Sequence, residues 1–170
     1  MRFFVGLFKL ACVLLIIFFA IGYFAPVEYS GRTSKTITLS RSSLWQVAND
    51  VGSLPKRRSD ITSFEVLRKD GDNVLRWREG YSLGRTAIFE VIERVPEEKL
   101  VIEMMQSSFG MRGTWTYEFS GEEVFTTLAI LEKSETQSIW HRAWKTILGR
   151  NSDIRSDLAS IERAAAERSR

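Results

Sequence analysis

Residues Gly80-Tyr81-Ser82-Leu83-Gly84 match the spacing G-x-S-x-G, in which a serine on a sharp strand-to-helix turn acts as a nucleophile. His141, the only histidine, would be its base. The context opposes that reading: the β-rich stretch Arg85 to Val95 follows, so the pentapeptide lies between two strands and its glycines suit a hairpin turn. His141 itself is read as a partly exposed residue near the start of a helix. Metal binding has no ligand spacing to support it, since the one histidine is joined only by Cys12, a residue inside an apolar run. No catalytic residue, metal ligand or cofactor is assigned. A single cysteine also excludes a disulfide within the chain.

Aromatic residues form the more suggestive pattern. Leu75, Trp77, Glu79 and Tyr81 alternate along one candidate strand, as do Gly113, Trp115, Tyr117 and Phe119 along another, and side chains two apart share a face. If both sets face one concave surface, Trp77, Glu79, Tyr81, Trp115 and Tyr117 contact a bound ligand. Glu79 would then be a carboxyl among aromatic rings, where burial raises its pKa and makes acid–base or hydrogen-bonding roles available. The alternative is that the rings only fill a core and Glu79 reaches solvent at a strand end. Glu90 and Glu103 are read as facing water. Lys56-Arg57-Arg58 would attract anionic headgroups at about 1 kcal/mol per basic residue, or form a solvated loop diluted by Asp60 and Glu65.

The elements that position these residues belong to two unlike pieces of a 170-residue chain. Of the first 25 residues 21 are apolar, and their only charges are Arg2 and Lys9. The remainder holds 22 basic against 21 acidic residues, a balance that excludes a general nucleic-acid binder. Leu10 to Val27 is an unbroken run of 18 uncharged residues, about 27 Å as a helix, and extension to Phe3 completes a membrane span. Lys9 can snorkel to the near headgroups. A cleaved secretory signal with Ala20-Ile21-Gly22 as its processing site is the rival reading, opposed by the apolar run that continues through Tyr23 and Phe24. We therefore expect residues 1–27 as a transmembrane anchor, 28–32 as a tether and 33–168 as a folded domain.

Within that domain Thr33 to Leu39 reads as a first strand, followed by a short helix over Leu44, Val47, Ala48 and Val51 that Ser40 or Ser42 can cap. Six further strands follow: Phe64 to Lys69, Val74 to Tyr81, Thr86 to Val95, Leu100 to Gln106, Arg112 to Phe119 and Val124 to Lys133. From about Gln137 a helical period returns, and Ile147, Ile154, Leu158, Ile161 and Ala165 form one stripe whose middle Gly149 and Asn151 weaken. The expected architecture is α+β, a seven-stranded antiparallel sheet around a long C-terminal helix with a ligand-sized space between them.

This order of elements resembles the helix-grip fold of the START-like superfamily, also called SRPBCC or polyketide cyclase/dehydrase-like. Ser34-Lys35-Thr36-Ile37-Thr38-Leu39-Ser40, then Leu44-Trp45-Gln46-Val47 and Asp50-Val51-Gly52-Ser53-Leu54-Pro55, are similar to its opening, and Leu148-Gly149-Arg150 to Leu158-Ala159-Ser160-Ile161-Glu162 to its final helix. The resemblance covers about residues 33–168. Two departures stand out: Arg41-Ser42 replaces the family's Ala-Pro, and Lys56-Arg57-Arg58 replaces its frequent aromatic after Leu-Pro. A membrane anchor before the first strand recurs among bacterial members, so the resemblance implies a single-pass protein of the bacterial inner membrane. Arg2 and Lys9 favour a periplasmic domain, although Arg32, Lys35 and Arg41 nearly balance them.

The function this implies is a membrane-tethered domain that binds a hydrophobic small molecule, a lipid being one candidate, without catalysis. Its alternatives are a cyclase- or hydrolase-like enzyme acting on an aromatic or polyketide-type substrate through Glu79, Tyr81 or Tyr117, and a ligand-free structural or regulatory module.

Overall fold

A computed structural model describes residues 2–121 and 124–168. Met1 of the expected anchor, and Ser169 and Arg170 of the C-terminal tail, lie outside the described residues. Helix α1 (Arg2–Phe24) is followed by β1 (Glu28–Ile37), α2 (Arg41–Asn49), a 3-10 turn (Val51–Ser53) and α3 (Leu54–Arg57). Then come β2 (Ile61–Asp70), β3 (Asn73–Tyr81), β4 (Thr86–Val95), β5 (Lys99–Ser107), β6 (Met111–Gly121) and β7 (Thr126–Thr136), and last α4 (Ile139–Leu148) and α5 (Ser152–Arg168). The strands form one antiparallel sheet in the order β1-β7-β6-β5-β4-β3-β2.

Local chemistry explains the boundaries around the grip. Ser40 caps α2 by accepting the Ser43 N–H at 3.2 Å, and Pro55 occupies the first turn of α3, where its missing N–H costs no hydrogen bond. On the concave face Leu100, Ile102, Phe119, Leu128 and Ile130 meet Leu44 and Trp45 of α2 and Ile154, Leu158, Ile161 and Ala165 of α5 in one core. Each of these α5 residues repeats at helical spacing, so one stripe covers the sheet.

Two expectations change. Residues 28–32, read as a free tether, are paired strand: β7 extends to Thr136 and offers β1 a full-length partner from Glu28 opposite Glu135 to Ile37 opposite Thr126. Only residues 25–27 separate α1 from the sheet, and Ala25 among them is buried. The long C-terminal helix is two helices. Gly149, at φ 93° and ψ 146°, stands in a region that essentially only glycine occupies, and the chain turns there before α5 begins. Ile147, expected on the inward stripe, is consequently half exposed on α4.

Candidate ligand-binding cavity

Sheet register decides whether the two alternating sets share a face. Trp77 lies opposite Phe89, Phe89 opposite Met104 and Met104 opposite Gly113; Trp115 lies opposite Ile102 on one side and Glu132 on the other. Directly opposed residues in a sheet project to the same side. Both sets therefore face α5. Rings of Phe64, Trp77, Phe89 and Trp115 follow one another across the sheet with centroids 6.4, 5.5 and 6.2 Å apart, a continuous aromatic wall.

Between this wall, α3 and the first turns of α5 lies a cavity of about 410 Å³. Trp77, Glu79, Tyr81, Trp115 and Tyr117 all line it. Glu79 does not reach solvent as the alternative reading had it: it is 1% exposed, accepts hydrogen bonds from Trp77 Nε1 at 2.8 Å and Tyr81 Oη at 2.6 Å, and stands 3.6 Å from Arg58 Nη1. Tyr117 donates to Asp157 Oδ2 at 2.5 Å. Burial, reinforced by the adjacent carboxylates, raises both phenols well above the ordinary tyrosine range, so each is a hydrogen-bond donor at neutral pH.

The polar side of the cavity contains residues that sequence reasoning assigned to a loop. Arg57 and Arg58 line the space together with Asp60, Asp153 and Asp157. Burial opposes the Arg58 charge, but its hydrogen bonds to Asp60 and the charges of Glu79 and Asp60 outweigh that cost and raise its pKa. Burial alone would raise the Asp60 carboxyl too, yet Arg58 holds it below the ordinary aspartate range. Arg57 differs. Its Nη2 donates to the Asp50 carbonyl at 3.2 Å while Nε and Nη1 are buried without a hydrogen-bond partner, and desolvation pulls its pKa down against the opposing charge of Asp157. Two signals pointed here: the arginines stand where the resembled family carries an aromatic residue, and Asp153 and Asp157, four apart, share a helix face beside the Ile154, Leu158 stripe.

The serine motif is part of a hairpin. Ser82 is exposed in the turn that joins β3 to β4, whereas the His141 ring packs on Phe109 with centroids 5.2 Å apart and its Nδ1 has no partner. Glu90, expected to face water, is shielded on the outer face by Arg68 and Arg76, the latter directly opposite it. Among the described residues no three His, Cys, Asp or Glu side chains cluster as a metal site.

The architecture is that of known helix-grip proteins. A START superfamily protein from Mycobacterium smegmatis superposes with a TM-score of 0.65 at 11% identity, covering 82% of this chain and 98% of its own. Norcoclaurine synthase from Thalictrum flavum, solved with a transition-state analogue, gives 0.67 at 11% identity with 85% and 98% covered, and an aromatase/cyclase from a Streptomyces species gives 0.66 at 13% with 84% and 96%. No family model and no curated protein sequence matches the chain. The fold is thus START-like, and at these identities the likeness speaks for the fold alone.

Proposed function

We propose that the chain is a membrane-anchored binding domain that holds a hydrophobic small molecule, a single lipid or an aromatic compound, in its grip without chemical conversion. The observation that carries this reading is the cavity itself: about 410 Å³, within the range of small-molecule sites, with an aromatic wall on one side and a few fixed polar groups on the other. Tyr81 and Tyr117 are engaged as donors to carboxylates, and Ser82 lies outside the cavity lining, so the reading needs no nucleophile paired with a base. Retention of α1 is supported by its packing. Gly22 sits so close to α4 that a Cβ would collide with the Ile139 carbonyl oxygen, and the Ala25 carbonyl accepts from Arg142 Nη1 at 3.2 Å. Cleavage after Gly22 would strip the Gly22 contact from the domain and leave only that of Ala25. We place the domain on the periplasmic face of a bacterial inner membrane, on the weight of Arg2 and Lys9 at the far end of α1.

A cyclase-type activity is the second reading, favoured by the carboxylate and phenol pairs Glu79 with Tyr81 and Asp157 with Tyr117 facing one space. Mass spectrometry of the full chain purified from membranes separates the cases. Co-purified lipid or aromatic compound recovered unchanged supports binding, and recovery of none supports a ligand-free module. In parallel, Trp115→Ala should weaken binding of a fluorescent fatty-acid probe about tenfold or more, while Ser82→Ala leaves it unchanged. Equal binding by Trp115→Ala would remove the aromatic wall from the account.

A further inference from the structure

Helix α4 carries a second apolar face that the cavity does not use. Trp140, Trp144, Ile147 and Leu148 follow the spacing of one helix face and remain 47%, 41%, 50% and 64% exposed, although the helix is firmly held on its other side. There Lys145 pairs with Glu132 of β7, and on the flank toward α1 Ala143 is fully buried beside Gly22. Four large apolar side chains on a fixed helix form a patch that needs a partner.

What covers the patch follows from its neighbour. The Phe18 ring of α1 packs against Trp140 at 4.8 Å and Trp144 at 5.3 Å, Gly22 abuts Ile139 and Ala143, and Ala25 accepts from Arg142. Apart from Lys9, helix α1 carries no charge from Phe4 to Phe24, a span long enough to cross a bilayer, and the contact occupies its last two turns. Phe18 to Ala25 is a rise of about 10 Å, the depth to which an interfacial helix settles between headgroups and acyl chains. Tryptophan is the side chain most suited to that layer, with an apolar body and one N–H to satisfy. The same end of the sheet carries Leu83, 95% exposed in the β3 to β4 turn at φ 62°, a conformation unusual for a residue with a branched side chain. Phe109 ties this end to the cavity, since it lines the cavity and also packs against His141 of α4.

Resting on the anchor reading given above, we propose that α4 is an interfacial helix whose Trp140, Trp144, Ile147 and Leu148 face lies in the headgroup boundary of the bilayer that α1 crosses. The domain is thereby clamped against the membrane with the Phe109 side of its cavity toward the lipid surface. A ligand dissolved in the bilayer then exchanges with the cavity by a short path along α4.

The chain has five tryptophans, and Trp45, Trp77 and Trp115 lie within the grip, so the part of the emission that lipid can quench reports on Trp140 and Trp144 of α4. The full chain is reconstituted in phosphatidylcholine nanodiscs whose acyl chains are plain or brominated near the headgroup, and emission is compared. Brominated lipid should quench a clear fraction of the emission, and Trp140→Phe/Trp144→Phe should abolish most of that quenching. Should the double variant fail to fold, each single Phe variant should lose about half of it. Emission that ignores bromination, or quenching that survives the variants, overturns the proposal; so does a mass measurement showing a second copy of the chain seated on the face. Alkaline washing of the membranes separates the two readings. A chain that stays in the pellet but is not quenched keeps its anchor and refutes only the interfacial helix, whereas a chain released by the wash, or found processed near Tyr23, refutes both.

Discussion

Helices α4 and α5 are neighbours in sequence and opposites in role. Ile154, Leu158, Ile161 and Ala165 of α5 are buried against the sheet, and the helix is held by apolar area. α4 buries only Ala143 and Lys145, turns its large apolar residues outward and meets the sheet through an ion pair. A single helical period runs through both in the sequence. The lesson is that an apolar stripe states that a partner exists and not which one: for α5 it is the sheet, and for α4 it is α1 on one flank and the surroundings on the other.

The sharpest way to break the contrast is to remove the ion pair. Lys145 and Glu132 are nearly solvent-free, with Ser134 donating to Glu132 at 2.5 Å and the Tyr29 ring 5.3 Å from the ammonium. Lys145→Met leaves the Glu132 charge buried and unpaired, which should cost about 3 to 5 kcal/mol in chemical denaturation. Adding Glu132→Leu should restore most of the loss, because a pair replaced by apolar side chains leaves no uncompensated charge. If the single change costs less than a surface substitution, α4 is not fastened by this pair.

Next comes a matched pair of truncations. Leu158→Ala on α5 opens a cavity in the core and should cost about 2 to 5 kcal/mol, while Ile147→Ala on α4 should change the stability of the detergent-solubilised chain by less than about 0.5 kcal/mol. Similar costs at the two sites would mean that both helices sit in the grip. Smaller again is the hinge. Nothing crowds Gly149, so Gly149→Ala acts through backbone strain alone and should cost about 1 to 3 kcal/mol, read as a lowered melting temperature.

Much of the grip was legible because its signals are local. Period-two alternation and turn residues marked all seven strands, and alternation alone put Trp77, Glu79 and Tyr81 on one face and Trp115 and Tyr117 on another. Their union on a single face was conditional, since register between distant strands is not written in either strand. Arg57 and Arg58 were missed for a related reason: α3 is one turn long, and where its last residues point depends on packing against α5 and β2. The tether was misread because Glu28 to Arg32 has no apolar alternation, and its strand character comes from the edge that β7 offers. Glu90 shows the same limit, for its shielding arginines come from two other strands, one of them directly opposite across the ladder.

The smallest effect is the most selective, because His141 is the only histidine and it belongs to α4. Burial, with the nearby Arg85 charge adding to it and Asp153 opposing, holds its pKa below the ordinary histidine value. The folded protein therefore binds that proton more weakly than the unfolded chain does. The stabilisation from keeping the imidazole neutral is complete above about pH 6.5 and is lost as pH falls through the lower folded value. Melting temperatures of the full chain and His141→Gln, measured from pH 7.5 to 5, should converge with acid, the wild type losing more. Emission of Trp140 and Trp144, on the same helix, should shift over the same interval, while the grip around α5 is unaffected. Parallel curves for the two proteins would show that the imidazole contact with Phe109 contributes nothing to holding α4.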